Sequence, residues 1–494
     1  MHPLLLESGT SLAAKIKRGD TTSEAVVRAH IDRLREVNPV INAVVRARVR
    51  EAIAEARAAD ARLAAEGPDA LPPFHGVPCT IKESFQLTGM PQTSGLVSRR
   101  HNRATSDAVT VRRLREAGAI PIGVTNVSEL LMWVESSNRV YGRSNNPYDP
   151  SRIVGGSSGG EGASIGAAIA PFGLGADVGG SIRGPAFFNG VFGHKASSGL
   201  VPNTGQYPIA EGDALGYLST GPITRRAEDL WPLLTILAGP DGEDAVCRPI
   251  ALGDPASVDI GALRVLNVPD NGWIEVQRDL RDAQTRVARA LSERGARVEE
   301  RRYAALARSL HYWGAGLSAA GGTPFGVLMG EGRRVPVLPE LAKWLVRRSV
   351  HTLPALGLAA LERVPELLPD RTRELLLELD ALRAHLTEEL AGDAVMLYPT
   401  YSRPAPRHYA PLLRPFDFVY TGIVNVLGFP STQVPLGLNA KGVPLGCQVI
   451  AAHGKDHLTI AVAMELERAF GGWVPPRPRR GRFGIRRTRI PGAP

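Results

Sequence analysis

Residues 155–183 read GGSSGGEGASIGAAIAPFGLGADVGGSIR, and no other stretch limits the folding of this chain so strongly. Two glycine clusters each surround serine, and the residues between them are small and apolar. Glycine admits φ > 0 and close approach of backbone to backbone. Residues 163–170 suit a helix packed tightly on a sheet, entered from a glycine-rich loop at 155–162. A layered α/β architecture follows.

The flanking periodicities agree with it. Leu12, Ala13 and Ile16 fall at helical spacing, and residues 21–23 offer a cap for a second helix through Ile31 and Leu34. Residues 44–65 predict a long amphipathic helix ending at Gly67 and Pro68. Residues 76–81 form a short apolar run that predicts a buried strand with Lys82 at its end, and a helix at 107–117 and a strand at 120–124 follow. Residues 263–268, 276–294 and 297–298 read as strand, helix, strand. Sheet-like segments return at 395–398, 432–436 and 447–450 before a last helix over 457–470. The alternation predicts an α/β fold with a central mixed, mostly parallel β-sheet covered by helices on both faces. With 494 residues, 44% of them hydrophobic, the chain can bury a large core. No boundary breaks residues 1–476, within which the leucine-rich, proline-punctuated stretch 324–386 reads as a helical specificity insertion.

Several function classes are excluded. The formal charge of +9 is mostly local, because residues 477–494 hold seven arginines and no acid, leaving +2 for the rest. Such a run is expected to be a disordered, solvated tail, with a weak membrane-surface tether as the alternative, and no nucleic-acid partner is expected. Cys79, Cys247 and Cys447 are far apart and lack Cys-x-x-Cys spacing, which suggests neither a disulfide framework nor a zinc site and fits a reducing, cytoplasmic setting. The apolar run Leu4 to Leu6 is too short for a signal-peptide core or a membrane span. His453 and His457 lack the Glu-x-x spacer of a metalloprotease helix, and His194 reads as a core histidine. The run beginning Gly173-Leu-Gly175 misses the dinucleotide spacing, and no Gly-Lys-Ser/Thr phosphate loop exists, so neither metal nor cofactor is expected.

What remains is acyl chemistry. In Ala176-Asp-Val-Gly-Gly-Ser181 the amides of Val178, Gly179, Gly180 and Ser181 can converge on a developing oxyanion, each essential donor being worth about 3 to 4 kcal/mol. Ser181 is then the candidate nucleophile, and it needs a base. Lys82 follows an apolar strand, where burial disfavours the ammonium and pulls a lysine down from about 10.4 towards neutrality. Asp177 and Arg183 flank the nucleophile and are expected to pair and brace its loop.

GVPCTIKES at 76–84, TN at 125–126, GGSSGGEG at 155–162 and GLGADVGGSIRGPA at 173–186 together resemble the amidase signature family. FNGVFGHK at 188–195, TGIVNVLGFPSTQVPLG at 421–437 and GVPLGCQVI at 442–450 extend the resemblance, which runs from about residue 5 to residue 475. It implies the amidase signature fold and a Ser-cis-Ser-Lys triad: Lys82 as base, Ser157 as relay at a cis peptide, Ser181 as nucleophile. Ser158 is the rival relay, but the separation of 24 residues between Ser157 and Ser181 is the one that matches the family. The resemblance also places Leu131, Met132 and Trp133, which follow the TN segment, on the substrate channel. Core packing is the other explanation for them.

Within the family, GGEG, residues 82–91 and NGVFGHK are most similar to fatty-acid amide hydrolases of type 2. Ala196 departs from the usual proline, and the N-terminal membrane helix of some fatty-acid amide hydrolases is absent, so stable membrane insertion is not expected. The resemblance implies a free-standing serine amidase acting on a small-molecule amide with an apolar acyl group, through an acyl-enzyme. The alternatives are the amidase component of an aminoacyl-tRNA amidotransferase complex and an acyltransferase on the same fold. A homodimer is expected, and residues 341–358, apolar with interspersed Lys343, Arg347 and Arg348, suit peripheral membrane contact as well as plain packing.

Overall fold

Among residues 1–362 and 369–477, the part of the chain that the computed structural model describes, eleven strands join in one sheet. In chain order the strands are β1 (Val44–Ala47), β2 (Val77–Lys82), β3 (Ala119–Thr125), β4 (Ser137–Asn138), β5 (Gly142–Arg143), β6 (Phe172–Asp177) and β7 (Phe192–Lys195). Then come β8 (Ser219–Thr224), β9 (Arg264–Asn267), β10 (Arg297–Glu300), β11 (Ala394–Tyr398), β12 (Ser431–Leu438) and β13 (Pro444–Ile450). β4 and β5 form a separate hairpin, and the order across the sheet is β1-β3-β2-β6-β8-β7-β12-β13-β11-β9-β10.

The sheet is mixed, as expected, but it is not mostly parallel. Parallel pairing is confined to β3-β2-β6 and β11-β9-β10, and the other six contacts are antiparallel. The middle of the sheet reverses direction because β8 lies antiparallel between β6 and β7, which helix Arg183–Phe188 connects, and because the short return at residues 439–443 sets β13 antiparallel to β12. Coverage on both faces is visible on β7, whose successive side chains point to opposite sides. A methyl on Gly193 would press on Ala186 of helix Arg183–Phe188, whereas the neighbouring His194 meets Asp456 of helix Asp456–Phe470. His194 is a buried core residue, bonded to Thr432 and Asp456.

Two local expectations are corrected. Residues 44–65 are not one helix: Val44–Ala47 pairs as edge strand β1 with β3, and the helix is Val49–Glu66. Its β-branched start outweighs the helical periodicity that the alanines continue. The helix after the second serine begins within the glycines, at Gly159–Gly166, not at Ala163. Packing explains the override, since Gly160 and Gly162 lie against the backbones of Asn126 and Pro185, where a side chain would collide. Residues 324–386 form helices Phe325–Met329, Val337–Leu345, Leu353–Leu361 and the start of Pro369–Glu389, with residues 363–368 outside the described part. The arginine-rich tail beyond Arg477 also lies outside the described residues.

Candidate active site

Lys82 ends β2 with its side chain 1% exposed. Its Nζ donates to Ser157 Oγ at 2.9 Å and to the Ala176 carbonyl at 3.3 Å. Burial lowers its pKa from 10.5 to about 7, partly opposed by the carboxylate of Asp177 and the carboxyl of Glu161. Near neutral pH the amine is therefore available as a proton acceptor. Glu161, one turn into the helix that follows Ser157, is itself fully buried and accepts from Thr80 Oγ at 2.6 Å and Thr125 Oγ at 2.8 Å. Burial pushes its carboxyl up to about 8. Asp177 is thus the ionised carboxylate that faces Lys82 at neutrality.

The Gly156–Ser157 peptide is cis. The structure brings Ser157 to Lys82, and both line a cavity of about 210 Å³ that Ser181 also lines. Ser158 is turned away into β6, its Oγ donating to the Ala176 carbonyl at 3.2 Å. A second buried lysine, Lys195, bonds the carbonyls of Ala196 and Phe429 and lines neither cavity beside Ser181.

Asp177 closes β6, and its carboxylate organises the turn that carries Ser181. It accepts from the amides of Gly180 at 2.6 Å and Ile182 at 3.0 Å, and it pairs with Arg183 at 3.0 Å, both side chains being wholly buried. Burial alone would push the Asp177 carboxyl up, but the Arg183 guanidinium and these amides hold it well below the usual carboxylate range. Arg183 is further satisfied by Gln448, Asn425 and the Thr421 carbonyl.

The peptide planes around Ser181 are set from outside. The carbonyls of Asp177, Val178 and Gly179 accept from Asn425 Nδ2, Trp313 Nε1 and Thr421 Oγ at 2.9, 3.0 and 2.9 Å. In a trans peptide the N–H points opposite to the C=O, so these bonds turn the following amides the other way. The amides of Val178 and Gly179, turned in this way, and that of Ser181, on the peptide whose Gly180 carbonyl accepts from the Gly184 amide at 2.7 Å, donate to no protein acceptor among the described residues and are open to an anion. The Gly180 amide is committed to Asp177, which corrects the expectation of four open donors. Gly180 serves by its shape: it holds φ +113, and a Cβ there would collide with the Thr421 side chain.

Thr421 and Asn425 fall in the segment 421–437 that extends the family resemblance, but that segment assigns them no role, and Trp313 lies in no such segment. Thr421 and Asn425 do lie four residues apart on helix Val419–Leu427, a polar pair on an otherwise apolar helix, which is a legible signal. Trp313 has none. Leu131 and Met132 line both the first cavity and a second, of about 360 Å³, while Trp133 lines only the second. The two cavities share Leu131, Met132, Val178 and Ser181, so they meet at the serine. The larger is walled almost wholly by apolar side chains, among them Trp313, Leu358, Phe416 and Phe418.

Residues 25–460 match the Amidase family. The chain is 46% identical to fatty-acid amide hydrolase 2 of Homo sapiens over 491 residues, covering 96% of this chain and 91% of that protein. It is 37% identical to a glutamyl-tRNA(Gln) amidotransferase component of Oleidesulfovibrio alaskensis over 282 residues, only 56% of each chain. Among solved structures, 6-aminohexanoate cyclic dimer hydrolase complexed with substrate superposes with a TM-score of 0.80 at 25% identity, over 96% of this chain and 99% of that one. Matched over nearly its whole length in sequence and in fold, the chain belongs to the amidase signature family of amide hydrolases.

Proposed function

We propose that this chain is a fatty-acid amide hydrolase, cleaving N-acyl amides with a long apolar acyl group through an acyl-enzyme on Ser181. The observation that carries the substrate class is the larger cavity, an apolar chamber that opens on Ser181 and has room for an alkyl chain. The near full-length similarity to fatty-acid amide hydrolase 2, at 46% identity, supports it, whereas an amidotransferase component matched over 93% of the chain is only 28% identical.

In the mechanism neutral Lys82 takes the proton of Ser157, Ser157 takes that of Ser181, and Ser181 Oγ attacks the amide carbonyl. The amides of Val178, Gly179 and Ser181 receive the oxyanion, and Asp177 with Arg183 holds their loop. The relay then runs backwards, protonating the departing amine, and water attacks the acyl-Ser181 ester to release the carboxylic acid. Leu131, Met132 and Trp133 border the scissile group. Residues 324–386 act as a specificity insertion on a catalytic domain of residues 1–476.

The chamber mouth bears Leu361, Leu412 and Phe416, 63%, 37% and 44% exposed, which supports peripheral contact with a lipid surface. No helix among the described residues is long and apolar enough to cross a membrane. Outward-facing Leu338 and Leu345 of helix Val337–Leu345 support a homodimer. The test is turnover by the purified chain alone of acyl amides of graded length, followed as released carboxylic acid. Long-chain substrates are expected to be preferred. Activity only with added partner proteins, or only on short primary amides, would overturn the reading.

A further inference from the structure

Two buried carboxylates bracket the segment that lines both cavities. Glu129, 3% exposed, lies 2.7 Å from His351 Nδ1 and accepts from the Thr352 amide at 2.7 Å. Glu135, 4% exposed, lies 2.6 Å from His408 Nδ1 and accepts from the Tyr409 amide at 3.2 Å. Between these carboxylates run Leu131, Met132 and Trp133. Leu130 and Leu131 are held in the left-handed region at φ +49 and +64, and Tyr409 is held there at +65. For side chains of this size that conformation persists only where surrounding contacts impose it.

The partners of the two carboxylates belong to two different walls of the apolar chamber. Thr352 is the N-cap of helix Leu353–Leu361, which contributes Leu353, Pro354 and Leu358. His408 and Tyr409 open the segment that contributes Leu412, Pro415 and Phe416. Neither wall is part of the sheet. Each carboxylate therefore joins one wall to the segment beside Ser181, through a histidine and the adjoining backbone amide.

We infer that Glu129 and Glu135 are positioning residues that fix the two walls of the apolar chamber and thereby set which acyl chains Ser181 accepts. The inference rests on the reading that this chamber takes the acyl group. A short acyl group reaches only the part next to Ser181, whereas a long one needs both walls in place along its length. The carboxylates touch neither the scissile group nor the Lys82–Ser157 pair, so loosening a wall is expected to act on long substrates selectively.

The experiment compares kcat/KM for a hexanoyl and an oleoyl amide of the same amine, in the parent and in Glu129→Ala, Glu135→Ala and their Gln counterparts. Each Ala variant is expected to lower the oleoyl-to-hexanoyl ratio by about tenfold or more, mostly through KM, with hexanoyl turnover within about twofold of the parent. The Gln variants, which still accept from the Thr352 and Tyr409 amides, are expected to recover part of the ratio. His351→Ala and His408→Ala cut the same ties from the wall side and replace any Glu variant that fails to fold. An unchanged ratio, or equal losses on both substrates, overturns the inference. A parent that cleaves neither amide defeats the proposed function instead.

Discussion

Replacing Lys82 by Met keeps an unbranched side chain and removes the amine. Because burial lowers the pKa of Lys82 from 10.5 to about 7, the unfolded chain at pH 7 is protonated at this position while the folded chain is about half neutral. That difference opposes folding by about 4 kcal/mol at pH 7 and about 2 kcal/mol at pH 9. The sign follows from a cation whose folded pKa is lowered: the penalty is full below pH 7, shrinks as pH rises, and is gone above 10.5. The substitution also forfeits the bonds to Ser157 and the Ala176 carbonyl, about 1 kcal/mol each. Lys82→Met is therefore expected to be inactive, more stable than the parent by about 2 kcal/mol at pH 7, and level with it at pH 9. Denaturant melts of both proteins at the two pH values measure this. A Lys82→Met protein less stable than the parent by the same amount at both pH values refutes the reasoning.

Other outcomes concern the pH profile and two further variants. Below pH 7, kcat/KM should fall tenfold per unit, to about one-thirtieth of its plateau at pH 5.5, as Lys82 protonates. Lys195→Met removes the other buried lysine of pKa about 7 and should leave that limb in place, whereas a limb that moves with Lys195 would reassign the base. Asp177→Asn leaves the Arg183 guanidinium buried without its counter-charge, a loss of about 3 to 5 kcal/mol readable as a denaturation midpoint. The Asp177 contribution is full above an unfolded carboxylate pKa of 3.8 and is lost as pH falls below it, so the gap between Asp177→Asn and the parent should narrow in acid.

Strands with β-branched apolar runs, such as those ending at Lys82 and Thr125, are legible because their pattern and flanking glycines agree. β6 is not, since Phe-Gly-Leu-Gly-Ala-Asp reads as loop. Gly173 is needed because helix Gly159–Gly166 crosses there and a Cβ would collide with Glu161, while Gly175 lies close against Ile182. The direction of the central strands depends on which segments pair across long separations, and local periodicity carries no record of that. The candidate site divides in the same way. Ser181 and its open amides are a local feature of one glycine-rich turn. The groups that aim that turn come from 135 to 248 residues away in sequence, through Trp313, Thr421 and Asn425. Parallel pairing of β2 with β6 brings Lys82 and Asp177 to adjacent strand ends, while Ser157 arrives from a loop with no strand pattern of its own.

The assignment of Ser181 as nucleophile is tested most directly by covalent labelling. The intact protein is treated with a fluorophosphonate probe and the modified residue is mapped by mass spectrometry, alongside Ser181→Ala, Ser157→Ala and Lys82→Ala. A single label on Ser181, absent in Ser181→Ala and much slowed in the other two, is predicted. Labelling of a different serine, or labelling that persists in Ser181→Ala, would contradict it.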